Sequence, residues 1–457
     1  METPNILLIV LDSARADRFS CYGYEKPTTP NIDRIAEQGT LFEQCWSESN
    51  WTLPVSYTMM TGLAPREHRA EIYRELPDGL TTLPRALADS HWQTILCSAN
   101  AFLGSATGMH EAFDVFEIAS YEHPVVKPLV KYFLLRMAWA DKGGADINRK
   151  MLRRIAQADQ PWLAVLWNDE VHHPWVGRGG FADRFSDRPI SLRRRWEVVG
   201  RARRLQEFGA TGSERDLADL NALYDGCMGY ADDLVGRLRK RLEATGQWDN
   251  TLVLITADHG DMLGERGLTG HGRPAGMYRQ LIRVPLIAHG PGFPSGERSG
   301  ATVQLADVTQ TVGEITGALQ SLPPSNVTRV DLRDAAAGAG REFAISERDA
   351  WPEERLERAQ KENPSFDFSP MAGEIRSCFR KDWHLVDAAT GATELFNTAS
   401  DPDETRDLIE QEPARARELL SILDDWRTQA HPHAATEGRV DPEDPEVEAR
   451  LRGMGYF

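Results

Sequence analysis

The chain has 457 residues, more than one hydrophobic core usually serves, so a large domain and a smaller one are expected. A formal net charge of −17 argues against a general nucleic-acid-binding surface, and an apolar share of 41% excludes a disordered chain. The charge does not exclude a small anionic substrate, because a local cation reverses the field at a site.

The first apolar run, Ile6-Leu7-Leu8-Ile9-Val10-Leu11, is too short to span a bilayer, lacks a basic flank and ends at Asp12. It reads as a buried strand rather than a signal peptide, and no membrane span is expected elsewhere. Similar runs at 94–97, 162–167, 251–256 and 284–288 predict further buried parallel strands. Helical patterns lie between them at 32–37, 83–88 and 219–244. In the last, Leu220, Leu223, Tyr224, Met228, Ala231, Leu234, Val235 and Leu238 recur at helical spacing. The stretch 127–139 is apolar with Lys127, Lys131 and Arg136; it reads as a packed amphipathic helix, or as one that touches lipid or covers a site. Six arginines in 193–204 read as a solvated helix face. Strands alternating with helices predict an α/β fold around a large, mostly parallel sheet.

After Gly317 the texture changes. Short strands are expected at 343–346, 374–379, 383–387 and 393–396, then a helix at 413–429. This is a smaller C-terminal α+β domain, with the boundary near 335, giving domains 1–335 and 336–457. Cys21, Cys45, Cys97, Cys227 and Cys378 show neither metal spacing nor a disulfide framework, which fits the cytoplasm.

Three segments carry candidate chemistry. Asp12 leaves the first strand into Ser13-Ala14-Arg15-Ala16-Asp17, either as a helix cap or as a site carboxylate. Thr52, in Trp51-Thr52-Leu53-Pro54-Val55-Ser56, stands just before a predicted helix. It is either a cap or a nucleophile at the positive end of the helix dipole. Asp258 and His259 leave another strand into a glycine-rich loop, Gly260-Asp261-Met262-Leu263-Gly264. Adjacent carboxylate and imidazole suit a divalent cation.

With these residues in place, the sequence resembles the sulfatase-like branch of the alkaline phosphatase superfamily. The resemblance rests on residues 4–12 with Arg15 and Asp17, on Tyr22-Gly23-Tyr24, and on Thr29-Pro30-Asn31-Ile32-Asp33. It continues through Thr52 to Ser56 with Thr61-Gly62, and Asp258-His259-Gly260 through Leu268. Arg283-Val284-Pro285-Leu286-Ile287, Asp401-Pro402-Asp403-Glu404-Thr405 and the terminal Gly455-Tyr456-Phe457 complete it. It implies a mixed sheet between helix layers and a C-terminal domain with an antiparallel sheet. It also implies that Asp12, Asp258 and His259 ligate one divalent metal, with Thr52 as nucleophile and further ligand. Within Glu170-Val171-His172-His173-Pro174, it makes His172 the contact to the leaving group. It places His271 where the family often has an anion-binding lysine, and Asn100 in the substrate pocket.

Two departures shape the expected function. Sulfatases carry cysteine or serine at the position of Thr52, followed by x-Pro-x-Arg, and oxidise it to formylglycine. A threonine does not follow that route, and no arginine appears here. Ser13 replaces a commonly paired aspartate, and Asp258-His259 replaces the Asp-Asn of many calcium enzymes. An imidazole ligand shifts preference towards manganese or zinc, with calcium and magnesium left open. The expected activity is hydrolysis of phosphoric mono- or diesters or phosphonate esters through Thr52. The alternatives are a sulfuric ester hydrolase, a phosphotransferase of the same fold, and a non-catalytic anion-binding protein. The expected partner is a small anionic ester, not nucleic acid; a homo-oligomer is left open.

Overall fold

The computed structural model describes residues 3–433 except 71–78, 105–106, 120–140, 160, 209–212, 272–275, 351–352, 363, 365–368 and 392. The run expected at 127–139 lies outside the described residues. Among them, no helix is long and apolar enough to cross a membrane.

The first strand, β1 (Asn5–Leu11), buries every residue from Ile6 onward, as only a central strand covered on both faces can. In chain order follow β2 (Thr40–Trp46), β3 (Gln93–Ser98), β4 (Val115–Ile118), β5 (Trp162–Asn168) and β6 (Thr251–Thr256). A two-residue hairpin, β7 (Met262–Leu263) and β8 (Thr269–Gly270), precedes β9 (Arg283–Val284), β10 (Leu286–His289) and β11 (Glu297–Gln304). The large sheet runs β11-β2-β10-β6-β1-β5-β3-β4, with β9 paired to β2. From β6 to β4 all neighbours are parallel. The carboxyl ends of β6, β1, β5 and β3 therefore open on one crevice, the usual place for a ligand in such sheets.

The expected strands at 6–11, 94–97, 162–167 and 251–256 are present and parallel. The one at 284–288 is not. Pro285 offers no N–H to a ladder, and the run splits there into β9 and β10, both antiparallel to their neighbours. Three strands of the large sheet were not visible in the sequence, among them β4, an edge strand of four residues with every side chain only partly buried. β2 carries Glu43 and Gln44 in its middle, and β11 is a polar edge strand. The helices Pro30–Ala36 and Leu83–Ala88 match their patterns. The long helix starts earlier than expected, at Glu214, because Ser213 and Asp216 form a capping box. In Leu192–Phe208 the arginines are not all solvated. Arg195 is buried and donates to the carbonyls of Ile190, Val176, Gly177 and Gly179, while Arg194 pairs with Asp216 and Asp219.

The second sheet, β12 (Ala344–Arg348), β13 (Ile375–Arg380), β14 (Trp383–Ala388) and β15 (Thr393–Asn397), is an antiparallel meander. Its alternation serves two cores. Ile345, Cys378, Leu385 and Leu395 meet Leu419, Leu423 and Trp426 of the helix Pro413–Gln429. Ala344, Phe379, Val386 and Phe396 face the large domain, where Trp46 stacks on Phe379 with ring centroids 4.0 Å apart. The helix Leu332–Ala336 is the last element before β12 in the chain.

Trp46 is fully buried and belongs to both sheets' contact. Trp46→Ala should cost about 3–5 kcal/mol, as for other buried aromatics cut back to alanine. Urea denaturation checks this; a loss below about 1 kcal/mol would mean that the joint packs loosely.

Candidate active site

Four strand ends supply the site. Asp12 follows β1 directly, and its backbone N–H bonds to the carbonyl of Asn168 at the end of β5. Asp258 stands two residues past β6, His259 beside it, and Asn100 two past β3. All four are fully buried. The chain turns sharply after Asp12 by putting Ser13 at φ 64°, a region that costs a non-glycine residue energy and recurs at functional sites. That turn lets the Ser13 N–H donate to Asp258 Oδ1 at 3.0 Å and its hydroxyl to Asp12 Oδ1 at 2.8 Å.

Asp12 Oδ2 accepts from Asn100 Nδ2 at 2.8 Å and from Trp167 Nε1 at 3.0 Å. Asn100 thus orients a carboxylate; its other amide atom accepts from the Phe102 N–H. Burial alone would push the Asp12 carboxyl up, but His172, His259, Trp167 and His271 together hold it down at about 2. Asp258 goes the other way. Burial, then the charge of Asp12, pushes its carboxyl well above the ordinary carboxylate range.

Thr52 opens the helix Thr52–Thr61, but the cap position belongs to Trp51, whose side chain makes no capping bond. The Thr52 hydroxyl faces the site instead. Its Oγ1 lies 3.3 Å from His259 Nε2 and 3.5 Å from Asp12 Oδ2.

Asp12, Asp258 and His259 each offer a ligand atom, all within 4.8 Å of one another. The donor set fits a divalent cation on two further observations. Asp258 Oδ2 is buried and, among the described residues, has no hydrogen-bond partner. His259 Nδ1 lies 2.9 Å from the Gly260 carbonyl, which fixes the proton there and turns the Nε2 lone pair towards the carboxylates. Gly260 lets the chain pass close to the backbone of Gln280, since a Cβ would sit 2.1 Å from that residue's carbonyl oxygen.

The histidine segment closes another side. His172 is buried, and its Nδ1–H donates to the His173 carbonyl at 2.7 Å. Burial, despite Asp12 and Asp261, lowers its pKa. His271 is also buried, with its ring centroid 4.0 Å from that of His259 and 5.0 Å from that of His172. His173 packs edge-on against Trp175, ring centroids 5.1 Å apart.

Three contributors escaped the sequence reading. Trp167 looked like strand core, yet its indole N–H reaches Asp12. Lys142, buried, donates to the carbonyls of Glu170 and His172 and so holds the histidine segment. Asp261 lies inside the inspected loop, but only its pairing with His271 at 2.6 Å reveals a role. Its carboxyl is pushed up to about 7, chiefly by burial.

A family model described as Sulfatase matches residues 4–318. The chain is 23% identical to the uncharacterized sulfatase YidJ of Escherichia coli (strain K12), over 100% of this chain and 93% of that protein. It is 25% identical to the choline-sulfatase of Rhizobium meliloti (strain 1021), over 69% of this chain and 68% of that protein. Among solved structures, the phosphonate monoester hydrolase of Agrobacterium radiobacter shares the fold with a TM-score of 0.74 at 20% identity. That match covers 93% of this chain and 96% of the other.

The raised Asp258 carboxyl yields a stability test. An acid whose pKa rises on folding holds its proton more tightly in the folded state, so stability falls as pH climbs from about 4 upward. Asp258→Asn removes that loss and keeps an acceptor for the Ser13 and His259 N–H groups. In chelator-treated protein it should therefore melt above wild type at pH 8, with the gap narrowing towards pH 5. It should also abolish the rise in Tm that manganese or zinc gives the wild type. An undiminished metal response in the variant would remove Asp258 from the ligand set.

Proposed function

The chain belongs to the sulfatase family, and we propose that this member hydrolyses phosphoric mono- or diesters, or phosphonate esters, with Thr52 as the nucleophile. One observation carries the reading: an unmodifiable threonine hydroxyl stands 3.3 Å from His259 Nε2 and 3.5 Å from Asp12 Oδ2 at the start of a helix. Formylglycine is an aldehyde. A threonine side chain, a secondary alcohol, oxidises to a ketone instead, and Pro54 is followed by Val55, Ser56 and Tyr57 without an arginine. An unmodified alkoxide suits phosphorus as electrophile. A fold shared with a phosphonate monoester hydrolase is compatible with that choice.

A divalent cation held by Asp12, Asp258 and His259, with Thr52 Oγ1 as a further donor, would supply the charge that acidifies the hydroxyl and neutralises the ester oxyanion. The imidazole among the donors favours manganese or zinc over calcium or magnesium. Thr52 Oγ1 attacks phosphorus in line, forming a new O–P bond as the bond to the leaving oxygen breaks. His172 gives that oxygen its proton from Nε2, its Nδ1–H being held by the His173 carbonyl. His271 donates to the equatorial oxygens, and Asn100 and Trp167 keep Asp12 in place. Water then attacks the phosphothreonine, its proton passing to the His172 left neutral by the first step, and Thr52 Oγ1 departs as the alkoxide that begins the next cycle. An alcohol in place of water makes the same site a phosphotransferase. Five free cysteines fit a reducing cytoplasm. The family model and the choline-sulfatase relative favour a second reading, a sulfuric ester hydrolase acting through unmodified Thr52.

Two variants test the roles. Thr52→Ala should fold normally, since the hydroxyl caps nothing, and should lose turnover of nitrophenyl phosphate and phenylphosphonate esters. Thr52→Ser should keep part of it. Wild-type rates in the alanine variant would move the nucleophile elsewhere, and turnover of sulfate esters alone would favour the second reading. His172→Ala should slow alkyl esters far more than nitrophenyl esters, because only poor leaving groups need the proton. An equal loss for both classes would reduce His172 to substrate binding, and His173→Ala serves as the control.

A further inference from the structure

The hairpin that follows the candidate metal ligands builds a second pair of side chains. Asp261 directly precedes β7 and His271 directly follows β8. The pairing of Met262 with Gly270 closes the hairpin, so residues 261 and 271 stand opposite one another. Asp261 Oδ1 accepts from His271 Nδ1 at 2.6 Å, and both side chains are buried. The loop beneath is rigid. Arg15, itself buried against Asp17 and Glu265, donates to the Asp261 carbonyl at 3.0 Å, and the Gly260 N–H bonds to the Leu281 carbonyl at 2.7 Å. Glu265 Oε2 in turn accepts from the Leu263 N–H.

The carboxylate is costly where it sits. Asp261 Oδ2 is buried and, among the described residues, has no hydrogen-bond partner, a penalty that packing alone would not retain. What it acquires is control of an imidazole. With Nδ1 turned to Asp261, the ring presents Nε2 on its opposite edge, while its face lies against His259 and its neighbour is His172.

We propose that Asp261 is a positioning residue: its carboxylate holds the Nδ1–H of His271 and fixes the ring angle, so that the opposite edge, Nε2–H when the ring is the imidazolium paired with that carboxylate, faces the oxyanion of an ester bound over Thr52. The inference rests on the ester-cleaving reading for the role of His271, but the pair itself rests on geometry alone. A carboxylate behind a histidine fixes both tautomer and ring angle, as in other sites where an imidazole must present one chosen nitrogen.

The test combines kinetics with nitrogen-15 NMR of the imidazoles. Asp261→Asn should lower kcat for a phosphate diester by about 10–100-fold, the usual cost of losing an orienting partner, with less change in KM. In a His271→Ala background the same substitution should add nothing, because its effect passes through that ring. Metal-free protein at pH 8 should show His271 protonated at Nδ1 in wild type and without that preference in Asp261→Asn. Additive losses in the double variant, or a tautomer indifferent to the substitution, would overturn the proposal. If wild type cleaves no phosphate or phosphonate ester, the functional reading fails, and the NMR measurement alone decides whether Asp261 sets the tautomer.

Discussion

Two fully buried carboxylates, Asp12 and Asp258, stand at the ends of adjacent strands, and their like charges must be compensated there. Protein donors answer part of the demand. Asn100, Trp167 and the Ser13 hydroxyl serve Asp12, while the Ser13 and His259 N–H groups serve one oxygen of Asp258. The second oxygen of Asp258 is left over. Burying such a pair without a counter-charge costs several kcal/mol per ion. A divalent cation among Asp12, Asp258 and His259 is the compensation that this donor set fits, and the threonine hydroxyl stands beside it.

Much of the surrounding structure keeps that space rigid. The parallel register of β1 with β5 and β6 sets Leu11 beside Asn168 and Val10 beside Thr256, so the exits of three strands cannot drift apart. Tyr224 of the long helix donates to the Ser13 carbonyl at 2.7 Å and accepts from the Arg15 N–H, holding the strained turn from below. Arg15 then reaches across to the loop after Asp258. The site is held by contacts distant in sequence but short in space, which is what preorganised electrostatic catalysis requires.

The central strands were legible because burial on both faces leaves continuous apolar runs. The long helix was legible from its period. Pro285 reversed an expectation of parallel pairing, and β2 and β11 stayed hidden because Glu43, Gln44 and an edge position break the apolar signal. In the site, the sequence named Asp12, Thr52, Asp258, His259, His172, His271 and Asn100, and the fold gathers them in one crevice. It could not show that Thr52 is no cap, because that depends on where Trp51 places the first turn. Nor could it show the indole of Trp167 turning to Asp12 or Asp261 meeting His271 across a hairpin, since both depend on register.

The central claim is that Thr52 itself becomes covalently modified in turnover. Rapid acid quench of the manganese- or zinc-loaded enzyme with a phosphate or phosphonate ester, followed by tandem mass spectrometry of the peptide containing Thr52, tests it directly. The account predicts a phosphoryl or phosphonyl adduct on Thr52 that forms and decays with the kinetics of turnover. Turnover through a reaction that never modifies Thr52, or an adduct mapped to Ser49 or Ser56, would contradict it.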